Sequence, residues 1–549
     1  MGGTAFDYII IGGGSAGSVL AARLSEDADV SVLLLEAGTP NTSVLVRMPL
    51  GAGQLIKAKS KFNWGFWSEP EPYMNNRRMW HPRGRGLGGS SAINGMIYIR
   101  GHARDYDQWR QMGLDGWSYA ETLPYFKRAE NFQDGANAYH GGDGPLVVSW
   151  GERANHPLYA AVAKAGAQAG YKTTSDFNGP DQEGFGRYQQ TIRDGERWSA
   201  ARAYLTPIAG QRPNLTIITS ARTHRIVVEN GRATGVDYSM GPGKPVLTAT
   251  ANREVLLCAG AFQSPQILQL SGIGDPEALA ARGIKAVHAR KGVGQNLQDH
   301  LDVTLNWRCT KPISLFSEVG GWRSLKMGLQ YMLTGKGPGR QNGLEAGAFL
   351  KSRPDLDRPD LQLHFVLAIM QDHGKVRLTE DGFTMHVCQL RPESRGTVSL
   401  ASTNPYDDPA ILTNFLSTAE DLRSVRVGLR MAREVIGQAA FDEFRGDEIA
   451  PGPQVQSDDE IDAYIRAHGE TIYHPVGTCR MGAATDPMAV VDSQLKVIGL
   501  EGLRVVDASV MPTLIGGNTN APTIMIAEKI SDVIRGRAPL PPEEVPVAA

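Results

Sequence analysis

Phe6-Asp7-Tyr8-Ile9-Ile10-Ile11 is a short β-branched run, the pattern of a strand buried in a parallel sheet. Glycines follow at once, and from Ser18 to Leu24 the residues Val19, Leu20 and Leu24 recur at helical spacing. A second apolar run, Val30 to Leu35, predicts another strand and ends at Glu36. Later, Leu215–Ile218 and Arg225–Val228 read as strands, and Glu229-Asn230-Gly231-Arg232 carries the Asn-Gly signal of a hairpin turn. Glu254 to Ala259 reads as a strand, with a helix whose first turn holds Pro265 and which ends near Ser271-Gly272. Asp360–Val366 and Thr384–Cys388 alternate apolar with polar, as strands of a largely antiparallel sheet with one wet face do. Near the C-terminus, Pro522 suits the first position of a helix whose Ile526, Ile530, Val533 and Ile534 share one side.

Composition narrows the function classes. The 549 residues hold 56 basic and 58 acidic side chains, so the net charge of −2 gives no reason to expect nucleic acid as a partner. The 63 glycines collect in short clusters within apolar segments, which suggests close backbone approach to a ligand. Tyr8–Leu24 is apolar enough to resemble a membrane span, yet Gly12, Gly13, Gly14, Gly17 and Arg23 punctuate it. Cys258, Cys309, Cys388 and Cys479 fit neither a zinc site nor a disulfide framework, so no metal and a reducing compartment are expected. No basic stretch with a small-residue cleavage site opens the chain. The expected location is cytoplasmic, with at most peripheral contact with the inner membrane.

Gly12-Gly13-Gly14-Ser15-Ala16-Gly17 fits G-x-G-x-x-G between a strand and a helix, the context that makes this pattern specific for a dinucleotide. Gly12 permits the tight turn, Gly14 lets the backbone approach a pyrophosphate, and Gly17 lets helix and strand pack closely. The helix N-terminus offers free N–H groups and the positive end of its dipole. Glu36, 24 residues after Gly12, can accept from both ribose hydroxyls, which disfavours a 2′-phosphate. FAD and NAD remain equally compatible with this fingerprint.

Two further glycine clusters occur, His81 to Asn94 and Gly260 to Gly274. With these, the chain resembles the glucose–methanol–choline (GMC) oxidoreductases. Pro82–Asn94 is similar to the family's first signature and Gly260–Gly274 to its second, while Tyr473–Gly482 and Gly517–Pro522 match its C-terminal segments. The likeness is greatest to bacterial choline-dehydrogenase-like enzymes, including those acting on alkanols or polyethylene glycol. It implies FAD, and an α/β Rossmann-like FAD-binding domain interleaved with an α+β substrate domain on a mostly antiparallel sheet. The FAD domain would comprise residues 1–157, 214–305 and 478–537, and the substrate domain 158–213 and 306–477. Residues 538–549 would form a mobile tail with few anchors. The resemblance implies cofactor contacts at Gly12, Gly14, Ser15, Ala16, Gly17, Glu36, Ala37, Arg83, Gly88, Gly89, Ser90, Asn94, Gly95, Thr223, Asp507, Ala508, Thr519 and Asn520. Ile93 stands where some members carry the histidine that bonds FAD covalently, so FAD is expected to be non-covalent.

Alcohol oxidation by a flavin needs a base for the hydroxyl proton, a carbinol carbon over flavin N5 and stabilisation of the charge that collects on the ring. The resemblance makes His474 the base and Asn518 the residue that positions the alcohol. Asp299 and His300 read as structural, and Arg197 within Arg197–Arg202 has no assigned role. The expected reaction is oxidation of a small primary alcohol, with electrons passed to a quinone or similar acceptor. An oxygen-using alcohol oxidase, a choline dehydrogenase and an FAD-containing hydroxynitrile lyase are the alternatives. Trp322–Lys336 places Leu325, Leu329, Met332 and Leu333 at helical spacing beside Arg323, Lys326 and Lys336. A lid or wall of the substrate domain is the simpler reading, since ordinary core-facing helices show the same stripe. A helix touching a bilayer and receiving quinone is the other. The oligomeric state is left open.

Overall fold

In the computed structural model, which describes residues 5–153, 155–370, 372–374 and 380–548, the first strand is Ala5–Ile11. It runs parallel to Val32–Glu36 on one side and to the long strand Val246–Leu257 on the other. Leu215–Thr219 extends the sheet in parallel beyond Val32–Glu36, and Leu503–Val505 pairs in parallel with Val246–Leu257. Arg222–Glu229 and Arg232–Ser239 add an antiparallel hairpin, completing seven strands. Asn230 and Gly231 both take positive φ, as the hairpin signal requires.

The helix after the first strand spans Ser15–Leu24, one turn earlier than the apolar spacing indicates. Two other helices also begin before the expected prolines. Gly260–Leu270 carries Pro265 inside, and Asn520–Ile534 has Pro522 at its third position. Pro522 still lies in the first turn, where its missing N–H costs little, whereas Pro265 lies inside its helix and frees the Ala261 carbonyl, which accepts from Thr478 Oγ1 at 2.6 Å instead. The last helix does not show one apolar side. Every residue from Ala521 to Asp532 is buried, because the helix runs through the first core against Ser15–Leu24 and Tyr119–Ala129. Its buried carboxylate, Glu528, is held by Arg23, Arg128 and the Tyr204 hydroxyl.

A second seven-stranded sheet is antiparallel throughout. Its order is Arg445–Ala450, Leu301–Cys309, Gly382–Gln389, Leu361–Val366, Ala346–Leu350 and Gly184–Arg187, with Glu470–Thr471 pairing Leu301–Cys309. The division expected between residues 305 and 306 falls inside Leu301–Cys309, which belongs wholly to this sheet. Helices Pro157–Gln168 and Ala419–Ile436 cover one face, where Leu361, Leu363, Phe365, Phe383, Met385 and Val387 join a second core.

The other face is not wet. Leu361–Val366 is buried along its whole length, and Gly382–Gln389 is buried at all but His386. Gln362 points to Asn518, and His364, Val366 and His386 line a cavity between the sheets. The alternation in sequence therefore marks a face turned to a site, not to solvent. The C-terminal tail also departs from expectation, since it has several anchors. Leu540 and Val545 pack against the first core, the Leu540 N–H donates to the Tyr125 hydroxyl, and the Glu543 N–H donates to Ala120.

Candidate active site

A cavity of about 760 Å³ runs between the two sheets, from Glu36 to His474. At one end lies the glycine turn. A Cβ on Gly12, whose φ is +100°, would come 2.6 Å from the Cys258 carbonyl oxygen, and one on Gly17 would meet the Gly12 carbonyl. A Cβ on Gly14 would meet nothing closer than the Gly89 Cα at 3.9 Å, so this side of Gly14 is open to the cavity. The helix that starts at Ser15 has no side-chain cap, nor has the one that starts at Asn520, and both N-termini line the cavity. Ser15 Oγ donates to Asn520 Oδ1 at 2.7 Å, tying these two ends together across the whole sequence. Two uncapped N-termini supply free N–H groups and positive dipole ends to anionic groups of a ligand.

Of the residues expected to contact the cofactor, Gly12, Gly14, Ser15, Ala16, Glu36, Ala37, Arg83, Gly89, Ser90, Asn94, Gly95, Thr223, Asp507, Ala508, Thr519 and Asn520 line this cavity. Gly17 and Gly88 do not. Gly17 sits behind the turn against Gly12, and Gly88 uses a positive φ to present its N–H to the Gly13 carbonyl. Glu36 also differs from expectation. Its carboxylate accepts from the Gly13, Gly38 and Gly86 N–H groups at 2.7–2.9 Å. With about four acceptor positions on a carboxylate, these three bonds take most of its capacity. Asp507 likewise accepts from Gly260 N–H, Ser509 N–H and Ser264 Oγ, capping a helix as well as lining the cavity.

At the far end, His474 and Asn518 come together, with Asn518 Nδ2 3.2 Å from His474 Nε2. Gln362 Nε2 donates to Asn518 Oδ1, so the amide presents its NH₂ to the imidazole. His474 Nδ1 lies 3.0 Å from His300 Nδ1, and His300 Nε2 lies 3.1 Å from the Leu390 carbonyl oxygen. A carbonyl only accepts, so His300 carries its proton on Nε2. Burial holds the His300 pKa down to about 3, so the ring is neutral and its Nδ1 is a bare acceptor. His474 must then donate through Nδ1–H. Burial, with help from His300, His364 and Arg83, lowers the His474 pKa well below its ordinary value. The lone pair of this neutral ring is therefore on Nε2, facing Asn518 and the cavity.

Residues that read as structural hold this pair in place. Asp299 Oδ1 accepts from the backbone N–H groups of His474 and His300, and its Oδ2 accepts from Thr471 Oγ1. Burial raises its pKa to about 7. Tyr473, just before the histidine, adopts φ +75°, a region non-glycine residues seldom occupy. Its carbonyl is held by Arg83 Nη1 at 2.7 Å, while Arg83 also donates to Ser90 Oγ in the second glycine cluster. Arg197 gains a role as well: buried, it donates to the carbonyls of Val46, Ser91 and Asn94 and so fixes that cluster. His364 lines the same end of the cavity, buried, with no partner for its Nδ1 among the described residues. Only the strand alternation around Gln362 and His364 could have pointed to these two from sequence.

Residues 6–302 and 392–527 match the N- and C-terminal family models of GMC oxidoreductase. The chain belongs to the GMC oxidoreductase family. It is 51% identical to the oxygen-dependent choline dehydrogenase 1 of Chromohalobacter salexigens, over 98% of this chain and 96% of that protein. An oxygen-dependent choline dehydrogenase of Cronobacter sakazakii is also 51% identical, over 98% and 96%. Among solved structures, pyridoxine 4-oxidase from Mesorbium loti is 31% identical with a TM-score of 0.88, covering 97% of this chain and all of that one. Formate oxidase of Aspergillus oryzae RIB40 is 27% identical with a TM-score of 0.91, covering 98% and 99%. This GMC oxidoreductase is an FAD-dependent enzyme acting on CH–OH donors, with an FAD-binding domain and a substrate domain. The glycine turn, the two uncapped helix ends and the length of the cavity fit that cofactor.

Replacing Glu36 with Ala removes a charge-assisted acceptor and three backbone clamps. At about 1.5–3 kcal/mol per such bond, FAD affinity should fall by about 10–100-fold and the protein should purify partly as apoprotein. Flavin absorbance per protein and titration of apoprotein with FAD check this, and unchanged occupancy and affinity would rule out the assigned role.

Proposed function

We propose that this enzyme oxidises an uncharged primary alcohol to its aldehyde, with His474 as base and Asn518 as the group that positions the alcohol. The alcohol oxygen replaces the direct Asn518–His474 contact, accepting from Asn518 Nδ2 and donating its proton to His474 Nε2. His300 stays neutral and continues to accept from His474 Nδ1–H once the ring becomes an imidazolium, so the ring keeps its orientation through the proton transfer. FAD supplies the hydride acceptor when bound. Ile93, which lines the cavity, has no atom able to bond a flavin covalently, so the cofactor is held by contacts alone. Acid precipitation should leave a colourless pellet, and a yellow pellet would contradict non-covalent binding.

The observation that carries the substrate class is the absence of a counter-charge among the described lining residues. Their carboxylates are Glu36 and Asp507, and both are occupied by backbone N–H groups. Of the lining aromatics, Trp64 already receives the Arg85 and Arg222 guanidiniums at 4.5 and 4.8 Å, Phe66 and Phe262 pack edge-on against each other, and Tyr473 lies beside His474. A quaternary ammonium needs a free acidic or aromatic face. The walls that remain include Leu344, Val366, Ala368, Ile369, Met370 and Ile472, which suit an alkyl or ether chain. The names of the 51%-identical relatives favour choline and oxygen as the second reading. A quinone-like electron acceptor is what the family resemblance implies.

His474→Ala should keep its FAD yet slow anaerobic flavin reduction by about 10²–10⁴-fold, the usual loss for a general base. In the unaltered enzyme, a lowered histidine pKa leaves the base unprotonated at every pH above that value. The reduction rate should therefore stay level as pH falls through ~6.5 and drop only below it. Near-normal reduction by the variant would move the base elsewhere, and a midpoint at or above ~6.5 would contradict the neutral pair.

A medium-chain primary alcohol should bleach the flavin faster than choline does under anaerobic conditions. In air, turnover should follow an added quinone or dye with little hydrogen peroxide. Faster bleaching by choline would overturn the substrate class, and peroxide formed at the dye-coupled rate would make the enzyme an oxidase.

A further inference from the structure

The stripe on the helix Arg323–Thr334 faces solvent. Of the thirteen large hydrophobic side chains exposed among the described residues, five fall within Trp322–Leu333. Trp322 is 73% exposed, Leu325 70% and Leu333 82%, with Leu329 and Met332 also exposed. At 3.6 residues per turn these five share an arc of about 100°. The opposite side holds Met327 and Tyr331, buried against Met48, and the Tyr331 hydroxyl donates to the Gly195 carbonyl at 3.0 Å. The inner face is thus fixed, and the outer stripe cannot be turned inward. The expectation that this stripe faces the core is overturned.

Two further observations say what covers this face. From Val319 to Leu344 no Asp or Glu occurs, whereas Arg323, Lys326 and Lys336 flank the stripe and make no ion pair among the described residues. The nearby carboxylates Glu318 and Glu196 are engaged by Arg153, and by Arg47 and Arg202. Second, Gly320, Gly321 and Ser324, at the start of this helix, line the catalytic cavity, as do Lys57 and Met370. An apolar stripe that carries a Trp and is edged by unpaired cations is the form of an interfacial helix on anionic lipid.

We propose that the outer face of Arg323–Thr334 docks this protein on an anionic bilayer, so that the mouth of its catalytic cavity opens at the membrane surface. Apolar molecules dissolved in the lipid then reach the cavity without crossing water. Docking is independent of which alcohol the site oxidises, and its test uses no substrate.

The FAD-loaded full-length protein should float with mixed phosphatidylcholine–phosphatidylglycerol vesicles, weakly with phosphatidylcholine alone, and less as salt rises. The double variant Leu325→Glu/Leu333→Glu alters only exposed positions. It should retain its flavin absorbance and its circular-dichroism spectrum, while flotation falls by about tenfold or more. Wild-type protein that stays in the lower fraction with the mixed vesicles, or a variant that floats as well as wild type, would overturn the proposal. So would a wild-type dimer that becomes monomeric in the variant with neither floating, because the face would then join two copies of this chain.

Discussion

Two buried imidazoles 3.0 Å apart can share a hydrogen bond only if one of them presents a bare nitrogen. At His300 the Leu390 carbonyl settles which nitrogen that is, and burial keeps the ring uncharged. The proton on His474 is thereby placed on Nδ1, and the free lone pair on Nε2 looks into the cavity. The orientation of the Asn518 amide, set by Gln362, follows the same logic. The chemistry of the site rests on this chain of directed bonds, which crosses from the second sheet to the loop before the last helix.

Carboxylates do the fastening elsewhere. Glu36, Asp299 and Asp507 each accept from several backbone or hydroxyl donors in segments far apart in the chain. Asp105 does the same for the loop that carries Asn518, accepting from Gly516 N–H while paired with Arg391. Burying a carboxyl group this way is tolerable only because its hydrogen-bond donors are supplied by the protein. Those acids are consequently not free to neutralise a cationic substrate. That links the rigidity of the glycine loops to the engagement of both carboxylates, Glu36 and Asp507, among the described lining residues.

The cavity mouth and the outward helix extend the same reasoning to the surface. Where a helix has one apolar face, burial normally hides it. Here the buried side is the one with Met327 and Tyr331, and the larger stripe is left outside. Such exposure beside the entrance of a long cavity is a cost in water that a lipid surface removes.

Local sequence by itself determined much of this protein. The glycine turn between strand and helix, the Asn-Gly hairpin and the order of the family motifs are short-range features, whose geometry follows from a few adjacent residues. They indicated the dinucleotide fold, while FAD and the pairing of His474 with Asn518 were implied by the resemblance to the GMC family; the structure brings these two side chains within 3.2 Å. Alternation in Leu361–Val366 and Gly382–Gln389 also gave two faces correctly. Which face meets solvent, a cavity or lipid depends on what packs opposite, and no local pattern reports that. For this reason the expected wet face became the cavity wall, and the expected core stripe came to lie outside. The same holds for His300, 174 residues from His474, whose bond exists only because a strand and a loop meet. Glu36 was recognisable as an acid at a strand end, but only the tertiary structure showed that three backbone N–H groups, from Gly13, Gly38 and Gly86, converge on it and take most of its lone pairs.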